Sequence, residues 1–340
     1  LPPPPTRAAG FQHRFVQMSW QALPSYSDRL REWLSPAETD ENDVISARAE
    51  AVRLFFEIQN QVLVEVIQHL RNIGLEYCLL KGTAHRFDLY RRPSDRGGID
   101  LDVAIPETAS VEGRRAAQDL GFVQSAWDEE QKTFVQATKE QQAWIDDNHY
   151  ELGFLIRRHA VENLSAQEVS AIHRQIHLQP NPWHFLPSGG LGIWINLDLH
   201  TGLSHDIPVA GVMGSSRILQ YRACTLRIPS RPWQLLHTIY KLYWEGVFSY
   251  GKGLYQFADI CRLVPRLTDD ESIEFLELLE KWRLEAGGRY ILSRLPSAFD
   301  ISITGRLEDF LGSSAVPRLG AKPQEENNFG DVWSKLWGYR

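Results

Sequence analysis

The chain has 340 residues, 43% of them hydrophobic, and a formal net charge of −7, which together favour two modest globular domains. No block of lysines and arginines supplies the basic surface that general nucleic-acid binding requires, so we exclude that class of partner. No apolar run is long enough for a membrane helix, no secretion signal opens the sequence, and the odd cysteine count argues against a disulfide framework. These features favour a cytoplasmic protein without a membrane anchor.

The first part of the chain alternates between predicted helices and strands. Apolar residues recur at steps of three and four from Phe55 to Ile73, which is typical of a helix. Runs that are apolar throughout, or that alternate apolar with polar residues, predict strands. The predicted helices cover residues 45–73, 84–90 and 110–120, and the predicted strands cover 75–80, 99–105, 132–136, 149–156 and 193–200.

After about residue 228 the pattern becomes purely helical. Predicted helices follow one another over residues 233–244, 254–264, 270–282 and 287–295. The two ends of the chain differ from both halves, because the N-terminal end is rich in proline and the C-terminal end has no sustained periodicity. We therefore predict an N-terminal arm (1–40), an α+β domain (41–228), a helical domain (229–311) and a C-terminal tail (312–340).

Two aspartates lie two positions apart on the strand predicted at 99–105. Asp100 and Asp102 therefore share one face, while Leu101 and Val103 face the opposite way, towards a core. Adjacent carboxylates repel each other unless a cation lies between them or water solvates them. The strand is thus either a Mg²⁺ site, since this ion prefers hard oxygen ligands, or an exposed edge strand with two solvated acids.

A glycine interrupts the chain where the strand predicted at 75–80 gives way to a helix. Gly82 allows the backbone to approach a ligand closely, and the free N–H groups of a helix start can hold phosphate oxygens. Lys81 and Thr83 can add a positive charge and a hydroxyl. The alternative is a threonine helix cap with an incidental lysine.

The order of these elements resembles the nucleotidyltransferase superfamily related to DNA polymerase beta. More narrowly it is similar to a largely uncharacterised bacterial branch with a Lys-Gly turn, a tyrosine, an arginine and an Asp-Ile-Asp-Leu-type strand. That branch also carries a later strand with a carboxylate and a histidine two apart, followed by a helical domain. The matching residues here are Lys81, Gly82, Tyr90, Arg96, Ile99 to Val103, Asp198 and His200.

This resemblance implies a polymerase-beta-like mixed sheet with flanking helices, and transfer of a nucleoside monophosphate. The donor is a nucleoside triphosphate, with ATP as the default, and two Mg²⁺ ions assist. Asp100, Asp102 and a third carboxylate bind the metal and are catalytic. Asp198 is the preferred third carboxylate, and Glu151 is the alternative. Nucleotide binding is assigned to Lys81, Gly82, Thr83, Arg96 and His200.

The sequence leaves the acceptor open. A hydroxyl of a small molecule is our first interpretation, and a tRNA or protein acceptor is an alternative. Two other classes also fit the acidic strand: a nucleotide-binding pseudoenzyme that serves as a partner-binding module, and a nucleotide-sugar glycosyltransferase. No pattern indicates an oligomeric state.

Overall fold

The computed structural model describes residues 39–98, 100–128, 133–175, 182–186, 188–248 and 254–313. The predicted N-terminal arm and C-terminal tail lie almost entirely outside these residues, as does Ile99 at the start of the predicted acidic strand. The chain divides into two compact units, with the break between Ile228 and Pro229.

The first unit combines a sheet with helices. Its helices are α1 (Thr39–Asn72), α2 (Lys81–Asp88), α3 (Ser110–Asp119), α4 (Lys139–Asn148), α5 (Ala166–Gln175) and α6 (Ala210–Gly214). Its strands are β1 (Cys78–Leu79), β2 (Asp100–Ala104), β3 (Val123–Asp128), β4 (Thr133–Gln136), β5 (Leu155–Val161), β6 (Trp183–Phe185), β7 (Leu191–His200), β8 (Arg217–Tyr221) and β9 (Cys224–Ile228).

The main sheet is mixed. Among the described residues it has seven strands in the order β1-β2-β7-β5-β3-β4, with β6 also paired to β7. Of the pairs formed by these described strands, β2–β7 is parallel and the others are antiparallel. Strands β8 and β9 form a separate hairpin. This architecture confirms the predicted α+β class with a mixed sheet.

Strands β2 and β7 lie inside the sheet and bury one apolar face. Leu101 and Val103 of β2 and Leu197 and Leu199 of β7 are at most 1% exposed. Because side chains alternate along a strand, the intervening polar residues share the other face. The edge-strand interpretation of the two aspartates is therefore wrong: β2 lies between β1 and β7, and Asp102 is only 6% exposed.

Two local predictions need correction. The strand predicted at 149–156 is displaced, because β5 begins only at Leu155 and Gly153, with φ of 78°, interrupts extended backbone before it. Within the earlier segment, Glu151 forms an isolated antiparallel bridge with His200. Helix α2 also begins earlier than predicted, at Lys81, so Gly82 and Thr83 lie in its first turn rather than in a preceding loop.

The second unit is helical in the part of the chain that the structure describes. Its helices are α7 (Arg231–Phe248), α8 (Leu254–Leu263), α9 (Asp269–Lys281), α10 (Glu285–Leu292), α11 (Leu295–Phe299) and α12 (Arg306–Gly312). Helix α7 packs against α8, α9 and α10 through a buried stripe that includes Leu235, Leu236 and Ile239. None of the described helices is long and apolar enough to span a membrane.

Candidate active site

The parallel pairing of β2 with β7 assembles the predicted acidic residues. Asp102 lies opposite Asp198, and Asp100 lies opposite Asn196. His200, two residues further along β7, falls on the same face. One ligand atom from each of Asp102, Asp198 and His200 lies within 4.8 Å of the others. The structure thus brings together residues of β2 and β7 that are distant in sequence, such as Asp100 and Asn196, which are 96 positions apart.

Asn196 joins two of the carboxylates, a contact that sequence reasoning missed. Its Nδ2 donates hydrogen bonds to Asp100 Oδ1 (2.6 Å) and Asp198 Oδ1 (3.0 Å). The amide therefore fixes the spacing of two acids that would otherwise repel each other. In the sequence, Asn196, Asp198 and His200 are polar residues at alternate positions of one predicted strand. Only Asp198 and His200 were predicted as site residues.

Lys81 supplies a positive charge directly to the acidic cluster. Its Nζ lies 2.7 Å from Asp102 Oδ1, 3.6 Å from Glu151 Oε1 and 3.4 Å from His200 Nε2. The Lys81 backbone has φ of 45°, a left-handed conformation that is unfavourable for a residue with a side chain. Such strain is typical of functional positions, and here it accompanies an ammonium group that reaches back to β2.

Glu151 and His200 complete the cluster on the side of the isolated bridge. The buried His200 ring lies 3.1 Å from Asp102 Oδ1 through Nε2 and 3.3 Å from Glu151 Oε1 through Nδ1. Both candidates for the third carboxylate therefore reach the cluster. Asp198 is nearly fully buried beside Asp102, whereas the side chain of Glu151 keeps 29% of its surface exposed.

The charges in the cluster are unbalanced. Burial, and then the charge of Asp102, raise the pKa of Asp100 to about 6. Burial, and then Asp100 and Asp102, raise the pKa of Asp198 well above its usual range. For Asp102 burial acts in the same direction, but Lys81 and His200 outweigh it and hold the pKa far below its usual range. Burial, and then Lys81, lower the pKa of His200.

These residues fit a divalent cation. Three aspartates and Glu151 face one lysine and a histidine that is neutral at pH 7, so negative charge is in excess. Carboxylate oxygens are the ligands that Mg²⁺ prefers, and a neutral imidazole nitrogen can add to the set. The raised pKa of Asp198 marks the place where a further positive charge is most needed.

Thr83 binds the acidic strand through its hydroxyl. Thr83 Oγ1 accepts a hydrogen bond from Asp102 N (2.9 Å) and lies 3.3 Å from Asp100 O, to which it donates. The residue is fully buried. This hydroxyl therefore ties the first turn of α2 to β2, a positioning contact that the sequence did not reveal.

Gly82 makes room for Arg96. A Cβ atom on Gly82 would lie 2.9 Å from Nη1 and 3.1 Å from Cζ of the Arg96 guanidinium, which is closer than van der Waals contact allows. Arg96 is only 3% exposed and also donates to the carbonyl of Gly97. The two residues that were both assigned to nucleotide binding are thus in contact with each other.

Arg86 forms a buried junction behind this turn that sequence reasoning also missed. Its Nη1 donates to Gln59 Oε1 (2.7 Å) and Asn60 Oδ1 (2.9 Å) of α1, and its Nε donates to Gly82 O (3.3 Å). Gln59 Nε2 in turn donates to Gly98 O (3.1 Å), just before β2. Burial, and then Arg96, lower the pKa of Arg86 to about 9, so the guanidinium remains charged at pH 7.

The mixed sheet, the helix that starts at a Lys-Gly pair and the paired acidic strands define the nucleotidyltransferase class. The chain belongs to a family of uncharacterised nucleotidyltransferases, whose family model matches residues 34–300. The predicted resemblance to an uncharacterised nucleotidyltransferase family is thereby confirmed. No curated protein matches the sequence.

One solved structure has a related description. It is an antigenic nucleotidyltransferase-like protein from Paracoccidioides brasiliensis, with 14% sequence identity and a TM-score of 0.32. The match covers 73% of this chain and 94% of that one. A likeness at this level adds nothing to the family assignment, which depends on the family model alone.

Proposed function

We propose that this protein transfers a nucleoside monophosphate from a nucleoside triphosphate to a hydroxyl of a small molecule and releases pyrophosphate. The observation that carries this proposal is the register of β2 against β7. It places Asp100, Asp102 and Asp198 on one face of the sheet, beside the start of α2. Family membership supports the reaction class, and the acidic cluster supports its dependence on a metal.

Asp100, Asp102 and Asp198 would hold two Mg²⁺ ions, with His200 as a further ligand. When bound, Mg²⁺ neutralises phosphate charge and lowers the pKa of the acceptor hydroxyl. We assign the third carboxylate to Asp198 because it lies opposite Asp102 and shares the Asn196 amide with Asp100. Glu151, which faces Lys81 and His200, is the alternative.

The chain's own residues position the phosphates. Backbone N–H groups in the first turn of α2 offer hydrogen bonds to phosphate oxygens, and the helix dipole favours negative charge there. Arg96, packed on Gly82, adds a guanidinium next to that turn. Lys81 can exchange its contact with Asp102 for a phosphate oxygen, since its ammonium is 2.7 Å from a carboxylate that a metal would share. Catalysis of this kind depends on positioning and charge stabilisation.

The donor base, the acceptor and the compartment are parts of the same proposal. We take ATP as the donor and a small molecule as the acceptor, because the net charge of −7 does not favour tRNA. We place the activity in the cytoplasm, where the three free cysteines stay reduced. A protein or tRNA hydroxyl remains the alternative acceptor.

The test follows the phosphorus that is transferred. The protein is incubated with Mg²⁺ and an extract of small molecules, together with ATP labelled at either the α or the γ phosphorus. With ATP labelled at the α phosphorus, we expect a new labelled product. With ATP labelled at the γ phosphorus, the product should carry no label. The variant Asp100→Asn should form no product. Product labelled only from the γ position would show phosphoryl transfer and refute the proposal. Protein and RNA fractions tested in parallel separate the acceptor classes.

A second candidate follows from the place of Lys81. Its ammonium already lies among the carboxylates, and a lysine that stayed there would leave a nucleotide-binding pseudoenzyme acting as a partner-binding module. Such a protein would bind ATP equally well with Mg²⁺ or EDTA and form no product from either label. Binding that requires Mg²⁺ would exclude it.

A further inference from the structure

A series of aromatic rings runs from the buried site residue His200 towards the protein surface. The Tyr150 ring lies 6.2 Å from the His200 ring and 5.1 Å from that of His205. The His205 ring is 6.4 Å from that of His149, which in turn meets Trp144 at 5.0 Å in an edge-to-face contact. Tyr150, His205, His149 and Trp144 are called the aromatic series below.

Backbone contacts hold the inner end of the aromatic series against the site. The carbonyl of Tyr150 accepts hydrogen bonds from Thr201 N (2.8 Å), Gly202 N (3.3 Å) and Thr201 Oγ1 (3.1 Å). A Cβ on Gly202 would lie 3.1 Å from Tyr150 Cβ, so a glycine permits this close approach. The neighbouring residue Glu151 bridges to His200 and reaches Lys81. These contacts hold the backbone of Tyr150, at the inner end of the aromatic series, next to the acidic cluster.

The outer end of the aromatic series is exposed. Trp144 keeps 59% of its surface accessible, and His149 and His205 are also exposed. The accessible part of the Trp144 ring leaves apolar surface that a ligand could cover. The aromatic series, exposed at its outer end and adjacent to a candidate active site at its inner end, offers rings on which a planar ligand can stack.

We infer that the aromatic series is a stacking subsite for the base of the bound nucleoside triphosphate. This inference rests on the proposed function and specifies where the nucleoside lies. In the proposed function, the first turn of α2 binds the β and γ phosphates, and the reacting α phosphorus lies at the carboxylates. The nucleoside then extends past Glu151, whose chain neighbour Tyr150 begins the aromatic series. Tryptophan, tyrosine and histidine rings stack on planar bases irrespective of their hydrogen-bonding pattern.

The experiment compares ligands with and without a base. Calorimetry with Mg²⁺ measures the affinities of the α,β-methylene analogues of the four nucleoside triphosphates and of inorganic triphosphate. The proteins are the parent, the double variant Trp144→Ala/His205→Ala, and Phe185→Ala as a control for an exposed aromatic residue on β6 (51% exposed). The variant Trp144→Phe/His205→Phe keeps aromatic rings at both positions.

We expect the parent to bind at least one nucleotide analogue more tightly than inorganic triphosphate. The alanine double variant should lose this preference by roughly 5- to 150-fold, the range that base stacking contributes. Its affinity for inorganic triphosphate should be unchanged. The phenylalanine double variant and Phe185→Ala should retain the parental preference. All the substituted positions are exposed, so the variants should keep the parental melting temperature.

Each contrary result has its own meaning. Parent protein that binds inorganic triphosphate as tightly as every nucleotide analogue would overturn the base subsite while leaving the proposed reaction intact. An alanine double variant that keeps its preference would overturn it too. If that variant binds nucleotides normally but forms no transfer product, the rings serve the acceptor and the inference is wrong. A parent that binds neither ligand refutes the proposed function together with this inference.

Discussion

At the scale of residues, the candidate site depends on a few neutral polar groups that hold the proposed metal ligands in place. Asn196 is one of them, since its single amide nitrogen serves both Asp100 and Asp198. Thr83 is another, since its hydroxyl receives the backbone N–H of Asp102. Such partners orient the metal ligands and thereby contribute to metal affinity.

Asn196→Ala should weaken metal binding. Without the amide, the carboxylates of Asp100 and Asp198 repel each other and lose their fixed spacing. The loss of an orienting partner of this kind typically costs roughly 10- to 100-fold in metal affinity. Calorimetric titration of the variant with Mg²⁺ and a nonhydrolysable ATP analogue measures it, with Gln136→Ala, on an exposed part of β4, as the control. Parental affinity in Asn196→Ala would show that the amide is dispensable.

Thr83→Val should destabilise the protein even without ligand. Valine has nearly the shape of threonine but leaves the buried N–H of Asp102 without its acceptor, at a cost of about 1–3 kcal/mol in the free energy of unfolding. Thr83→Ser keeps the hydroxyl and should restore most of that loss. Urea unfolding of the apo protein measures both variants. Equal stability of Thr83→Val and the parent would instead favour a role of the hydroxyl in binding phosphate.

At the scale of elements, the junction between α1, α2 and β2 holds the first turn of α2 against the acidic strand. Arg86 of α2 donates hydrogen bonds to Gln59 and Asn60 of α1, and Gln59 in turn donates to the carbonyl of Gly98. The hydrogen bonds of the Arg86 guanidinium at this junction go to carbonyl and amide oxygens. Removing the guanidinium should therefore affect the fold more than the chemistry.

Arg86→Met should destabilise the first unit strongly. Two buried amide oxygens, on Gln59 and Asn60, each lose a donor, at about 1–3 kcal/mol per group. The free energy of unfolding should fall by at least about 2 kcal/mol, and Arg86→Lys should recover part of it through one retained hydrogen bond. Chemical denaturation followed by tryptophan fluorescence measures this. If the free energy of unfolding falls less than in the surface variant Arg92→Met, the junction does not stabilise the fold.

Sequence periodicity predicted most helices and the strands that carry the site, but not their boundaries near it. The apolar run at 75–80 reads as a full strand, yet only Cys78 and Leu79 pair with β2. The displaced β5 has a similar cause, because the left-handed Gly153 separates the Glu151 bridge from the strand. Local pattern does not show which residues of an apolar segment find a partner in the sheet.

The same limit applied to the site. Asp100 and Asp102 could be placed on one face from their spacing alone, and the family resemblance added Asp198. The register that sets Asp102 opposite Asp198 is a long-range property, as are the contacts of Lys81 with Glu151 and His200. Alternation places Asn196 on the face of Asp198, but its contact with Asp100 could not be predicted, and neither could the contacts of Arg86, because the partners are distant in the chain.

At the scale of the whole molecule, the acidic cluster links cation binding to folding. Burying Asp100, Asp102 and Asp198 together opposes folding unless positive charge compensates, and Lys81 compensates only in part. A cation that binds the folded chain alone stabilises it by an amount that grows with its concentration.

Mg²⁺ should therefore raise the melting temperature of the parent protein. At a concentration 100 times the dissociation constant, the stabilisation is about 2.7 kcal/mol. Asp198→Asn, which relieves repulsion, should melt at a higher temperature than the parent in EDTA but gain less from Mg²⁺. Differential scanning calorimetry measures both, with K⁺ at equal ionic strength as the control for screening. A parent that gains no more from Mg²⁺ than from K⁺ would argue against a specific site.

The most direct test of the central claim is nucleotide binding with and without Mg²⁺. Calorimetry measures the four nucleoside triphosphates against the parent and against Asp100→Asn/Asp102→Asn, whose side chains keep their size but lose their charge. We expect at least one nucleotide to bind the parent only when Mg²⁺ is present, and the double variant to lose that binding while it remains folded. Binding of equal strength in EDTA, or an unaffected double variant, would contradict the assignment of a metal-dependent nucleotidyltransferase site to β2 and β7.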